Sequence, residues 1–350
     1  DFARATPRFW ALGLAVVVAA LPALADDVAD WPSWQNAYEF DCNAPFFSVL
    51  KPEAAKLGAF TYEFAGGTVK IRRDVPRKDK AVKLGVIAGI KDLEPETKDA
   101  LAKVLAQFEA ADVDVIVVGG DSAETPEPLD QIYGYLVEAT KRPMLSIAGN
   151  TERGGAHNYA IAQQRKKGHV HLINMGLTRR YDGDGVDVVA LSGYHDKRYL
   201  HVTGGCLYTE KAIAEVGAAV RASDDPVVFL AHGPPKQQGG KAIDYVPQVG
   251  NVGDPALNAI ITEAKIPFGV FGHILEAAGH GTDLKGTVLP PKKLHKALRC
   301  ICLGIRYGSR RSRICLHDSP YQRQTGSSRK LRLWCCWSLC RFSCQSCCLC

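Results

Sequence analysis

Acidic side chains are nearly missing from one end of this chain. From Lys292 to Cys350 there is a single one, Asp318, against 13 Lys and Arg. The preceding residues carry 30 basic and 36 acidic side chains, so the overall charge of +6 belongs to the C-terminal segment and the bulk is mildly acidic. That balance gives no sign of nucleic-acid binding by the main domain. Cysteine is as uneven: only Cys42 and Cys206 precede residue 300, and the other ten of the 12 lie from Cys300 onward. Compositions this different rarely belong to one folded unit. No G-x-G-x-x-G follows the first strand and no G-x-x-x-x-G-K-[ST] occurs, which excludes a nucleotide-cofactor fingerprint and a P-loop. The 33 Gly and 19 Pro show no repeat, which excludes collagen-like and solenoid folds. What is present is ordinary for a globular protein: 350 residues, 46% hydrophobic and 23% charged. That is room for one large domain or two small ones with a sizeable core.

The two ends stand apart. Arg4 and Arg8 precede an uncharged run from Phe9 to Ala25 that closes in Ala23-Leu24-Ala25 and is followed by Asp26-Asp27. This is the order of a secretory signal peptide, and the run falls short of the roughly 20 residues a spanning helix needs. Residues 1–25 are therefore expected to be cleaved, leaving no stable membrane span and an exported, periplasmic or extracellular chain. Export makes a Cys42–Cys206 disulfide possible. Residues 26–80 read as an N-terminal extension, aromatic at first, with a β-hairpin around Gly66-Gly67. Residues 292–350 sustain neither a helical nor a strand period. Cys344 and Cys347 have metal-ligand spacing without a second pair, and the composition fits a shifted reading frame or a disordered tail.

Between 81 and 291 strands alternate with helices. Apolar runs at 84–88, 113–118, 143–147, 169–173, 186–191, 227–230 and 268–271 predict strands. Helical spacing predicts helices at 95–111, 129–139, 156–167, 209–221 and 255–263. This is an α/β pattern with a largely parallel sheet, whose site is expected outside the carboxyl ends of the strands. Four runs end in Gly120-Asp121, Gly149-Asn150, Ala231-His232 and Gly272-His273. Alone, each has an ordinary reading: a helix cap for Asp121, a turn for Asn150, a strand end for His232 and a core histidine for His273. Together, Asp121, Asn150, His232 and His273 are a plausible ligand set for a divalent transition metal such as Zn, Mn, Fe or Ni.

The order and spacing of these endings resemble the calcineurin-like metallophosphoesterase superfamily. Its signature runs D-x-H, G-D, G-N-H-D/E, a lone H, and G-H-x-H. The matching segments are Gly89-Ile90-Lys91, Gly120-Asp121, Gly149-Asn150-Thr151-Glu152, His232 and Gly272-His273-Ile274-Leu275. The resemblance implies a sandwich of two mixed sheets flanked by helices, and a pair of metals bridged by the G-D aspartate. One metal would use Asp121, Asn150, His232 and His273, all present. The ligands of the other are replaced by Gly89, Lys91 and Leu275, and the family's catalytic histidine by Thr151. One ion is therefore expected. Lys91 would lie near the vacated position, its ammonium either supplying charge to a phosphate oxygen or pointing to solvent. With Thr151 in place of the imidazole, His195 or His280, in loops, could act as proton donor.

Three functions follow. The first is an exported phosphoesterase acting on a small phosphorylated substrate through a mononuclear site. The second is a protein of the same fold that binds a metal or phosphorylated ligand without turnover. The third is an SGNH-type esterase with Ser122 of Gly120-Asp121-Ser122 as nucleophile. The chain lacks that family's D-x-x-H pair, since no His has an Asp three residues before it.

Overall fold

The computed structural model describes residues 42–44, 53–78, 81–277 and 281–290, with three further strands at 298–301, 314–317 and 330–339. The expected signal segment, His280, Cys344 and Cys347 lie outside the described residues. The first strands are Glu53–Leu57 (β1), Phe60–Ala65 (β2), Thr68–Arg73 (β3), Ala81–Ile87 (β4), Val115–Val118 (β5), Met144–Ser146 (β6) and Leu172–Asn174 (β7). Then come Arg180–Asp182 (β8), Asp187–Leu191 (β9), Val227–Ala231 (β10), Tyr245–Val246 (β11), Gly250–Asn251 (β12), Phe268–Phe271 (β13) and Gly281–Thr282 (β14). The last three are Leu298–Ile301 (β15), Ile314–His317 (β16) and Lys330–Leu339 (β17). The helices are Pro95–Ala111 (α1), Pro126–Ala139 (α2), Gly154–Lys166 (α3), the single turn Met175–Thr178 (α4), Glu210–Arg221 (α5) and Pro255–Glu263 (α6).

The strands form two main sheets, ordered β1-β2-β3-β8-β9-β10-β13-β15-β14 and β16-β17-β4-β5-β6-β7. Both are mixed: β17, β4, β5, β6 and β7 run parallel, as do β9, β10, β13 and β15, and β3 with β8, while β1–β2, β2–β3, β8–β9, β14–β15 and β16–β17 are antiparallel. The expected sandwich of two mixed sheets flanked by helices is what the chain forms. The hairpin around Gly66-Gly67 is β2–β3, and β3 pairs with β8. β15 pairs with β13 and β17 with β4, so each sheet also takes strands from outside 81–291.

The central strands are apolar at nearly every position because each is covered on both faces. In β5, Val115 and Val117 face the core between the sheets, while Ile116 and Val118 face α1, α2 and α3. In β10, Val228 and Leu230 point to the same central core, and Val227, Phe229 and Ala231 to α5 and α6. Period-2 alternation thus divides one strand between two cores. Three helices start on proline at the first turn, Pro95, Pro126 and Pro255, where the missing N–H is not needed by the helix. α2 begins three residues before the expected 129, at this proline. The parallel strands of both sheets place their carboxyl ends on one side, and the polar endings meet there.

Candidate metal centre

The loops after the strands are bonded to one another before any side chain joins them. Gly119 N donates to Ile87 O at 2.8 Å and Gly89 N to Gly120 O at 2.9 Å. On the other sheet Gly272 N donates to His232 O at 2.9 Å. His232 crosses between the sheets: its Nδ1 lies 2.9 Å from the Gly119 carbonyl, to which it donates. The approach is close enough to need glycine. A Cβ on Gly120, whose φ is +89°, would sit 2.6 Å from Gly149 N and 2.7 Å from His232 Nδ1. Three of the residues that end these loops toward the site, Lys91, Asp121 and His273, have φ of 71°, 59° and 69°. A non-glycine residue in this region is strained, and such strain collects at functional sites.

The four expected ligands converge. His232 Nε2 lies 3.2 Å from Asp121 Oδ1 and 2.9 Å from Asn150 Oδ1. His273 Nδ1 lies 2.9 Å from the same Asn150 oxygen. One ligand atom from each of Asp121, His232 and His273 falls within 4.8 Å of the others. The orientation of these atoms is fixed from behind. Asn150 Nδ2 donates to Tyr199 O at 2.5 Å, which turns Oδ1 inward. His232 commits its Nδ1 proton to Gly119, which turns Nε2 inward. The Asp121 carboxylate, the Asn150 carbonyl and the His232 Nε2 therefore face one another. A divalent cation among them could take an electron pair from each. A backbone carbonyl holding the far nitrogen is also the usual support of a metal-bound histidine. This donor set fits a divalent transition metal.

The electrostatics agree. Burial alone would raise the Asp121 carboxyl, but His232 and the Lys91 ammonium beside it outweigh that and hold it well below the usual carboxylate range. Burial, with His232 beside it, pushes the His273 imidazole down to about 3, so it stays neutral and able to donate a lone pair. Glu152 lies beneath the loops, fully buried. It accepts from Asp121 N at 3.0 Å, Gly149 N at 2.7 Å and Ser122 N at 2.5 Å. Burial and the Asp121 charge raise its pKa, against which the Ser122 and Gly149 N–H groups work.

The other sequence candidates separate. Lys91 points inward: Nζ donates to Asp121 Oδ2 at 3.1 Å and to Thr151 Oγ1 at 2.9 Å. Thr151 N donates to Asp121 Oδ1 at 3.2 Å, so Lys91 and Thr151 both touch the ligand aspartate. His195 does not join the cluster; its ring lies 4.5 Å from the Tyr194 ring, which in turn lies 4.2 Å from His273. Leu275 begins a short 3-10 turn, Leu275–Ala277, and brings no ligand atom. The serine-esterase reading of Ser122 is corrected. Ser122 is fully buried, with its backbone held by Glu152, and a nucleophile must be reachable by its substrate. Sequence reasoning matched Glu152 to the motif without giving it a role, and did not find Tyr194 or the Tyr199 carbonyl as parts of the site. Only Glu152 had a signal, its place three residues after Gly149.

The profile of the calcineurin-like phosphoesterases matches residues 87–277, more than half of the chain. No curated protein matches it. Among solved structures, a dimetal phosphatase from Danio rerio is similar at 14% identity and a TM-score of 0.43, covering 63% of this chain and 87% of that one. A protein from Thermus thermophilus is similar at 13% identity and a TM-score of 0.43, with 63% and 88% covered. A purple acid phosphatase from yellow lupin is similar at 14% identity and a TM-score of 0.40, with 63% and 43% covered.

Proposed function

Because the chain belongs to the calcineurin-like phosphoesterase family, we propose that it hydrolyses a small phosphate mono- or diester with one divalent ion, Zn, Mn, Fe or Ni, held by Asp121, Asn150, His232 and His273. The observation that carries this is the inward convergence of Asp121 Oδ1, Asn150 Oδ1 and His232 Nε2, with the protons of Asn150 and His232 committed to the Tyr199 and Gly119 carbonyls. A bound ion would polarise a phosphoryl oxygen and make a nucleophile of water near neutral pH. The chain's own part is to fix the ligands. Tyr199 O and Gly119 O orient Asn150 and His232, and Glu152 holds the loops that carry Asp121 and Asn150. Tyr194 walls the site beside His273.

We place the protein outside the cytoplasm, in the periplasm or beyond. The signal-like run from Phe9 to Ala25 supports this, as does the buried Cys42–Cys206 disulfide, a bond that oxidising compartments maintain. Among the described residues no helix is long and apolar enough to cross a membrane.

A second reading, ligand binding without turnover, has one observation in its favour. Thr151 stands where the family has its catalytic histidine, and its hydroxyl accepts from Lys91. Metal content by elemental mass spectrometry and hydrolysis of bis(p-nitrophenyl) phosphate separate the readings. About one ion per chain with turnover supports the phosphoesterase. One ion without turnover of mono- or diesters supports the binding protein. Asp121→Ala and His232→Ala should each abolish metal binding and Leu275→Ala should leave it nearly unchanged; equal loss in all three would contradict the assigned ligands.

A further inference from the structure

We propose that the Lys91 ammonium is a fixed second cation of the site, sharing Asp121 with the metal and binding one oxygen of a phosphate anion beside it. The inference deepens the metal-dependent reading above and rests on it.

Asp121 divides its two oxygens. Oδ1 faces His232 Nε2 at 3.2 Å and accepts from Thr151 N at 3.2 Å, on the side of the metal ligands. Oδ2 accepts from Lys91 Nζ at 3.1 Å. One carboxylate thus lies between the metal ligands and an ammonium. An ammonium has three N–H donors. Asp121 and Thr151 take two, and the third is left for an acceptor that arrives with the substrate. The Lys91 side chain is 35% exposed, so such an acceptor can reach it, while Asp121 is only 13% exposed.

The backbone shows that this placement is built rather than incidental. A surface lysine is long and free to follow the solvent. Here the chain turns through two left-handed residues, Gly89 at 63° and Lys91 at 71°, with Ile90 fully buried between them. Gly89 N is fastened to Gly120 O at 2.9 Å, so the turn is anchored to the loop that carries Asp121. Glycine takes the first turn without strain, whereas Lys91 carries a steric penalty there. The bonds to Asp121 and Thr151 are what that conformation gains.

The ligand class follows from the charges. A metal ion and an ammonium on two sides of one carboxylate suit an anion with two or more acceptor oxygens. A phosphoryl group offers one oxygen to each, as in other sites where cations clamp a transferring phosphoryl group. A neutral ester would satisfy neither.

The test uses the full chain loaded with Mn2+ and titrated with inorganic phosphate. Metal content is read by elemental analysis, spin coupling by electron paramagnetic resonance, and phosphate affinity by 31P relaxation. The expected result is one uncoupled Mn2+ per chain. Lys91→Met should keep that ion and lose tenfold or more in phosphate affinity, and Lys91→Arg, which keeps a cation, should stay within about threefold of wild type. Two spin-coupled ions in the wild-type chain would overturn the proposal. So would unchanged phosphate affinity in Lys91→Met, or equal loss in both variants, which would make Lys91 a packing residue. A wild-type chain that holds no Mn2+ fails at the earlier step and overturns the metal reading along with the proposal. Retention of one ion with no effect at Lys91 removes this proposal alone.

Discussion

Glu152 accepts three backbone N–H groups from two loops, and those loops carry two of the four metal ligands. Such a carboxylate acts as a template: it sets where Asp121 and Asn150 stand before any ion arrives. Glutamine has the same shape but replaces one accepting oxygen with a donor. In Glu152→Gln a buried backbone N–H would face an amide N–H, and an unsatisfied buried donor costs about 1–3 kcal/mol. The expected outcome is a lower melting temperature together with weaker Mn2+ binding, read by thermal denaturation and by metal titration on the same preparation. A destabilised variant with unchanged metal affinity would show that Glu152 serves the fold and not the ligands. At this scale the sequence was legible where chemistry sits at a strand end. Asp121, Asn150, His232 and His273 each follow an apolar run and a small residue, and all four meet. The direction of Lys91 was not legible, because it depends on a left-handed turn and a bond to Asp121 that no local pattern encodes. The Tyr199 carbonyl was invisible for another reason: any residue supplies a carbonyl, so no side-chain identity marks it.

The segment between β9 and α5 is the element on which the site leans. It supplies the Tyr194 ring beside His273 and the Tyr199 carbonyl behind Asn150, and His201 N donates to Asn150 O at 3.3 Å. With little regular structure of its own, it is held by hydrogen bonds to its surroundings and by one covalent tie. Cys206 N donates to Glu152 O at 3.1 Å, Tyr194 N to Cys206 O at 3.0 Å, and Asn43 bonds both N and O of Ser192 at 2.8 and 2.9 Å. The Cys42–Cys206 disulfide, with both cysteines buried, joins that segment to residues 42–44 across 164 positions. Closing a loop of that length removes up to about 5 kcal/mol of unfolded-chain entropy in the chain-entropy account. Cys42→Ser/Cys206→Ser, or the wild-type chain under reductant, should therefore show a lower denaturant midpoint. Mn2+ affinity should fall as well, since Asn150 loses part of its backing. The denaturation curve and the metal titration check the two halves separately; a lower midpoint with intact affinity would place the disulfide outside the support of the site. The two cysteines were visible as candidates, but only the packing of residues 42–44 against Ser192 and Gly176 explains why they meet.

Across the whole molecule, the alternation of strands and helices between 84 and 271 was readable because each strand is buried on both faces and each helix on one. The contributions from outside that span were not, since β15 and β17 join the sheets by backbone pairing with β13 and β4, and neither comes from a segment with a sustained strand period. Burial on this scale also sets how stability follows pH. His157, on α3, lies fully buried with Nε2 3.1 Å from Ser146 Oγ, and burial pushes it down to about 4. His171, with Nε2 3.3 Å from Val137 O, is also pushed down to about 4, by burial and then by the Lys141 charge. An unfolded histidine titrates near 6.5, so between that value and about 4 the unfolded chain binds protons that the folded chain refuses. Stability from these two groups is complete above about 6.5 and is lost as pH falls toward 4. Asp187 works in the opposite sense. Burial raises it to about 6, so its cost to the fold grows as pH rises from about 4 to 6. Two histidines outweigh one aspartate, and the net slope is toward acid lability. Gln at position 157 can keep a bond to Ser146 and cannot take a proton. His157→Gln should therefore remove roughly 3 kcal/mol of the loss between pH 7 and 4, whatever its effect at neutral pH. Urea midpoints at half-unit pH steps read this directly. A variant curve parallel to wild type over that window would mean that His157 is not the group refusing the proton, and that the acid limb belongs to His171 and His273.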